Sequence, residues 1–297
     1  MEPHITVFET GYVPETGVGA PTRLYLHSSP EYAMKRLLAA GWERIFQIGK
    51  VFRNGEIAKL HNPEFTMLEF YRAHVDSHEP LLRDIEAFTH RAALAISGSD
   101  RVAVGGATVD LAPPWDRLTV AEAFRTRAGI DLPMDGDAAL LRERARARGF
   151  DVPDHLESFD DVFFSIFLLA IEPGLGLPRP TFLTDWPACM ASLSKLRASD
   201  PNVAERFELY VAGTELANGF FELNDAAEQR RRLLEERELR RTLGRPEYPL
   251  DERFLEAVGR MPPSAGVAVG LDRLLLVLGG FAAIDDVLLF PLREELA

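Results

Sequence analysis

The sequence predicts an α+β fold. Runs that alternate apolar and polar residues come in neighbouring pairs, as hairpin strands do. Amphipathic helical stretches separate those pairs and do not alternate with single strands, which argues against βαβ units. With 297 residues and 46% hydrophobic content, the chain is long enough for one large domain or two small ones.

The elements follow in order. Residues 1–22 are rich in Gly, Pro and Thr and read as a loop with a short strand. "SSPEYAMKRLLAAG" carries its own helix boundaries: Ser28 or Ser29 to cap, Pro30 for the first turn, Glu31 for the positive end, Gly41 to stop. "RIFQIGKVF" and "EFTMLEFYRA" alternate as strands, and the segment from Asn54 to Glu64 between them exceeds what a tight turn requires. A helix is expected from Pro80 to Ser97, and residues 115–176 read as mostly helical with proline breaks. "RPTFLTDWP" is a buried strand. "ERFELYVAGTELANGFFEL" is a hairpin turning at Ala212-Gly213, and Asp225 caps the helix that follows. "GVAVGLDRLLLVLGG" is a glycine-bearing strand running into an apolar helix.

Composition excludes several classes. The formal charge of −13 disfavours nucleic acid, and the mixed-sign stretch from Glu228 to Arg245 reads as a solvated helix face. The best apolar run, Val162 to Ile171, falls well short of a membrane span, and no signal peptide opens the chain. A single cysteine, Cys189, allows neither an intrachain disulfide nor a cysteine metal cluster, and is expected to be a buried small residue. A cytoplasmic protein without membrane partners fits these features.

The polar residues on the strands are harder to explain as structure. Arg53 ends one strand, and Glu69 and Tyr71 share a face of the next. Glu208 and Glu215 flank a turn, Asn218 and Glu222 follow, and Asp272-Arg273 stands where a strand becomes a helix. Carboxylates on inner strand faces are costly in an ordinary core and sensible around a cation, a metal, or both. The arginines call for an anion, and a polyphosphate suits them. Each residue also has a plainer reading. Glu208 and Glu215 can be surface groups paired with Arg206 or Lys195, Phe65 a core residue, His61 a loop histidine, Tyr71 an ordinary strand tyrosine. His27, His74, His78, His90 and His155 show no ligand spacing and are read as surface or capping residues.

"FRN…HNPEFTMLEFY" resembles motif 2 of the class II aminoacyl-tRNA synthetases in its lysyl form. "GVAVGLDRLLL" resembles motif 3, and "ERFELYVAGTELANGFFELND" the segment between them. "SSPEYAMKRLLAAG", "HNPEFTMLE" and "GTELANGF" are most similar to the lysyl-tRNA synthetase paralogues that modify elongation factor P. The resemblance implies one catalytic domain over residues 1–297, an antiparallel sheet flanked by helices, with 115–176 as a helical insertion. It implies ATP and Mg²⁺, a lysine-like amino acid (by preference (R)-β-lysine), and elongation factor P as acceptor. In that family Arg53 and Arg273 are the catalytic arginines. Arg53 holds the α-phosphate; Phe65 and Arg273 enclose the adenine. Asn54, Gly55, Glu56, His61, Asn62, Leu216 and Gly270 complete the ATP site, and Glu208 and Glu215 carry the metal. Ser29, Pro30 and Glu31 face the amino group. Glu69, Tyr71, Asn218 and Glu222 bind the side-chain ammonium, and Ala268 lies beside the substrate.

Departures accompany the likeness. Ala268 replaces the synthetases' glycine, as in the paralogues. Gly55 stands where lysyl enzymes often have Glu, which moves the adenine contact to Glu56 or to backbone. Phe221 replaces a histidine. Motif 1 and the anticodon-binding barrel are missing from the sequence. The family's homodimer is still expected, with motif 1's absence bearing on dimerisation, the sheet edge and activity. Two other readings stay open. A catalytically impaired pseudo-synthetase acting as a binding protein is opposed by the retained arginines and metal carboxylates. A lysine–tRNA ligase is opposed by the missing barrel and the acidic balance, so tRNA is not an expected partner.

Overall fold

The structure, a computed structural model, describes residues 5–15 and 20–296. The loop expected over residues 1–22 therefore lies partly outside the described residues. Strands β1 (Glu9–Tyr12) and β2 (Thr22–Tyr25) pair there as a small antiparallel ribbon.

Helix α1 (Glu31–Ala39) follows. Ser29 accepts the Glu31 backbone N–H at 3.0 Å, so the hydroxyl closes the helix start although Pro30 is the residue at the cap. Gly41 leaves the helix with φ +95°, a conformation that costs glycine little. Strands β3 (Arg44–Phe52) and β4 (Glu64–Ala73) have the bounds their alternation suggests, and the long connection between them is present. Helix α2 (Glu79–Ser97) and a hairpin of β5 (Arg101–Val104) and β6 (Ala107–Asp110) come next.

The region 115–176, expected to be mostly helical with proline breaks, is so apart from its first element, a strand. It opens with β7 (Asp116–Thr119), then α3 (Val120–Ala123), α4 (Ala138–Ala147) and α5 (Phe159–Ile166), with π-helical turns after α3 and α5. The β7 segment is too short to show a period by itself, and its pairing with β8 decides its state. Strands β8 (Thr181–Pro187), β9 (Leu196–Arg197), β10 (Asp200–Val211) and β11 (Thr214–Phe221) complete the middle of the chain. Ala212 and Gly213 turn the β10–β11 hairpin with φ +49° and +72°. Asp225 caps α6 (Ala226–Thr242) by accepting the N–H groups of Ala227 and Glu228. Then come α7 (Glu252–Val258), β12 (Ser264–Gly270), α8 (Leu271–Gly279) and the short α9 (Leu292–Glu295).

The main sheet runs β3-β4-β12-β11-β10-β8-β7, with β9 paired to β10. Its neighbours are antiparallel except β7 and β8. Alternation makes the sheet two-faced. Phe207, Leu209, Ala217, Val267 and Val269 join Leu81 and Ile85 of α2 and Leu274 and Val277 of α8 in one buried core. Their sequence neighbours Glu208, Asn218 and Ala268 face the other way. A second core, with Phe124, Phe163, Phe167 and Trp186, holds the helical insertion against β8 and β10. Cys189 is exposed, contrary to expectation, because Met190 is the residue that its short 3₁₀ turn buries.

Candidate active site

Two cavities open on the polar face of the sheet, of about 450 and 440 Å³. Arg53, Asn218 and Ala268 line both, so they mark the junction.

Register builds the floor. Gln47 pairs with Glu69, Glu69 with Ala268, Ala268 with Asn218, and Asn218 with Glu208. Residues paired across neighbouring strands point to the same face. One row of side chains therefore crosses five strands, from the first cavity to the second. Glu215 should miss this face, being three residues from Asn218. A bulge corrects that: the pairing shifts between Leu209 and Tyr210, so that Tyr210 opposes Glu215. The extra residue, Leu216, sends its side chain into the core, and its backbone stays beside Gly270.

The first cavity gathers carboxylates. Glu69 is buried and accepts the Ser29 hydroxyl at 2.5 Å and the Tyr71 hydroxyl at 3.0 Å. Burial, then the charge of Glu31, pushes its carboxyl up to about 7. Glu222 is buried too, and burial also raises its carboxyl. Sequence reasoning missed Lys35, whose ammonium is wholly buried and lies 2.6 Å from both Glu31 and Glu222. Burial alone would lower that ammonium, yet Glu222 and Glu31 hold it above its ordinary value. Gly266 was missed as well. A Cβ there would fall 2.1 Å from the Tyr71 ring and 2.4 Å from a Glu222 oxygen. Lys35 stands four residues after Glu31 on one helix, a spacing that signals their pairing but not the burial or the second partner, Glu222; for Gly266 the signal was a glycine inside a strand, which marks close approach.

Several buried atoms lack partners. Asn218 Oδ1, Glu222 Oε1 and Arg53 Nε make no hydrogen bond. Each such atom costs about 1–3 kcal/mol when left unmet. The two acceptors suit a cationic donor, and the guanidinium at the junction suits an anion.

The second cavity is lined by Glu56, His61, Asn62, Phe65, Glu208, Glu215, Leu216, Gly270 and Arg273, so the structure brings these residues together. Asn54 and Gly55 are in neither lining. Asn54 gives its N–H to Thr6, and Gly55 takes φ +87° in the loop. Asn62 uses both ends of its amide on backbone, at Glu64 and Leu292. The Arg53 guanidinium lies 5.2 Å from the Phe65 ring centre. Arg273 donates to Leu60 O, to Glu215 O and to His61 Nε2 at 2.7 Å. Burial, with Arg273 and Arg53 nearby, lowers His61 to about 4, so the imidazole is neutral and accepts. Glu208 accepts from Arg206 at 2.5 Å and from the Tyr210 hydroxyl at 2.6 Å. Burial, and the facing charge of Glu215, raise it to about 7 against the pull of Arg206. No group of three or more His, Cys, Asp or Glu could hold a metal among the described residues. Two carboxylates and a polyphosphate are the donor set that Mg²⁺ favours.

Ser29, Pro30, Glu31, Glu69, Tyr71, Asn218, Glu222 and Ala268 all line the first cavity. The structure thus separates a carboxylate-rich chamber from an arginine-and-aromatic chamber and joins them at Arg53.

Comparison with known proteins agrees. The family of class II tRNA synthetases (D, K and N) matches residues 10–294. The elongation factor P–(R)-β-lysine ligase of Proteus mirabilis is 40% identical over 290 residues, 97% of this chain and 83% of that relative. The ligase of the same name from Hamiltonella defensa is 36% identical over 293 residues, 98% and 84% of the two chains. That of Salmonella agona is 38% identical over 289 residues, 97% and 83%. The chain belongs to the class II tRNA synthetases (D, K and N), the family it shares with these ligases.

Proposed function

We propose that this chain is an AMP-forming ligase that activates a lysine-like amino acid, (R)-β-lysine, and transfers it to a lysine side chain of elongation factor P. The observation that carries the reading is the meeting of the two chambers at Arg53, whose buried Nε has no partner. The relatives' names support the amino acid and the acceptor.

In the first step a carboxylate oxygen of the amino acid attacks the α-phosphorus of ATP, and pyrophosphate leaves. Arg53 stabilises the charge that develops between the two reactants. Glu31 holds the amino group, and Glu69, Asn218 and Glu222 hold the far ammonium. The carboxylate is thereby directed toward Arg53. Phe65 and Arg273 take the adenine, Leu216 and Gly270 approach through backbone, and neutral His61 offers hydrogen bonding without added charge. Glu208 and Glu215 would hold Mg²⁺, which supplies charge neutralisation at the phosphates. In the second step the acceptor amine attacks the acyl carbon, AMP leaves, and the amine gives up a proton to solvent. Catalysis is by position and electrostatics, with no covalent enzyme intermediate.

The test is pyrophosphate exchange with α-lysine and (R)-β-lysine in parallel, followed by intact-mass analysis of elongation factor P. Exchange favouring (R)-β-lysine, with a mass gain of one β-lysyl group on the factor, is expected. No exchange with either amino acid would overturn the reading.

A further inference from the structure

Lys35 is a lysine inside a pocket that we read as built for a lysine-like ligand. Its side chain has no exposed surface, and its ammonium stands 2.6 Å from Glu31 and 2.6 Å from Glu222. Glu31 begins α1 and Glu222 follows the end of β11, so Lys35 is the group that ties the two together. Lysine is rarely fully buried unless it is paired. Here it is paired with two residues from the binding chamber and with none outside it.

The charge count gives this a purpose. Glu31, Glu69 and Glu222 carry three negative charges when ionised, and Lys35 returns one positive charge; Arg36 and Asp251, also in the lining, offset each other. The balance is two negative charges. A diamino acid brings two ammonium groups, and its carboxylate is met separately by Arg53. A monocationic amino acid leaves one buried charge unmet, which is costly at low dielectric. Without Lys35 the excess would be three, and a proton or a small cation would compete for the place of a substrate ammonium. Position matters as much as charge. A long carboxylate side chain has several rotamers, and a shared ammonium fixes one for each. Glu222 Oε1 remains without a partner, while the Lys35 ammonium is beside Oε2.

We propose that Lys35 is a positioning and specificity-determining residue: it holds Glu31 and Glu222 in register and sets the chamber's charge to match a diamino acid. This rests on the reading of the first cavity as an amino-acid site.

The test uses the full chain and two readouts. Calorimetry without ATP measures binding of (R)-β-lysine, α-lysine and norleucine, the last lacking the far ammonium. Pyrophosphate exchange separates KM from kcat. Lys35→Met is expected to weaken diamino-acid binding and raise its KM by about 10- to 100-fold, the loss of one charged contact. kcat and the ATP KM should stay within about threefold, and preference over norleucine should fall about tenfold or more. Lys35→Arg keeps the charge and should restore that preference, with KM within about tenfold of wild type. Should Lys35→Met fail to fold around its unmatched carboxylates, Lys35→Arg decides alone. Loss of the preference for diamino acids in a folded Lys35→Arg protein would overturn the proposal. So would a folded Lys35→Met protein with unchanged binding, or with equal losses for amino acid and ATP. If the wild type binds diamino acids but shows no exchange, the proposed function fails and the binding ratios still judge Lys35. If it binds none, both fail.

Discussion

Gly266→Ala should injure the amino-acid chamber more than its size suggests. The added Cβ would meet the Tyr71 ring at 2.1 Å and Glu222 Oε1 at 2.4 Å. Carbon atoms settle at about 3.5–4.0 Å, so the ring must retreat by at least about 1.4 Å. Tyr71 is buried, with Met34, Leu38 and Met261 beside it, and has little room to move. A retreat of that size breaks its hydrogen bond to Glu69, now 3.0 Å. Overpacking costs about 1–3 kcal/mol, and a hydrogen bond to a charged group is worth about 1.5–3 kcal/mol. The sum is a loss of about 2.5–6 kcal/mol, shared between folding and amino-acid binding. Gly270→Ala is the matched control: the same methyl there meets nothing nearer than 3.9 Å, and its φ of −74° suits alanine. Denaturant unfolding and pyrophosphate exchange on both variants decide the matter. Gly266→Ala should lose at least about 2 kcal/mol and raise the amino-acid KM at least about tenfold, and Gly270→Ala should stay within about 1 kcal/mol. Equal stabilities in the two variants, with unchanged amino-acid KM, would refute the packing argument.

Three further outcomes are expected. Arg53→Ala should lower pyrophosphate exchange by about 10²–10³ or more, because no other described side chain lines both cavities with a positive charge; wild-type exchange would remove Arg53 from the reaction. Glu208→Gln and Glu215→Gln should each raise the Mg²⁺ concentration needed, and the double variant should add little to the worse single one; unchanged Mg²⁺ dependence in both would show that neither is a ligand. Since the empty-site carboxyl of Glu69 is raised to about 7, a proton competes with the substrate ammonium below that pH. The amino-acid KM should therefore climb as pH falls from 7 toward 5, by up to about tenfold per unit, and Glu69→Gln should flatten the slope. The same shift has the opposite sign for folding. A carboxyl raised in the folded chain is no burden below its unfolded value of about 4.5, and its cost grows as pH rises from there to about 7.

Much of the fold was legible because local rules and tertiary demands coincide. Strands β3 and β4 alternate cleanly over their whole length, the Ala212-Gly213 turn has the small residues that positive φ requires, and Asp225 caps the helix it was expected to cap. The exceptions depend on distant partners. Strand β7 is four residues long and takes its state from β8, more than sixty residues onward. Lys35 and Glu222 are on different elements and far apart in sequence, so no spacing links them. Residue type points to Glu215 as a site carboxylate, but regular alternation would turn it to the core; the bulge at Leu216 explains how it arrives. The plainer reading of Glu208 as a partner of Arg206 is half right: the pair exists, but it is buried beside the second cavity and not at the surface.

The row from Gln47 to Glu208 has a consequence for how such a site can change over generations. Each of its strands contributes one residue, and a shift of one position turns that residue to the opposite face. Substitutions at Glu69, Ala268 or Asn218 alter the chemistry in small steps. Insertions or deletions inside any of the five strands remove a member outright and put its apolar neighbour in its place. Length variation is therefore confined to the connections, such as residues 53–63 or the helical segment between β11 and β12. The bulge at Leu216 is the exception, an added residue already built into a strand. A relative lacking it would have to deliver Glu215 by another route or do without that carboxylate. In this fold, new substrate preferences can arise by replacing letters in place, and new lengths can arise only at the margins.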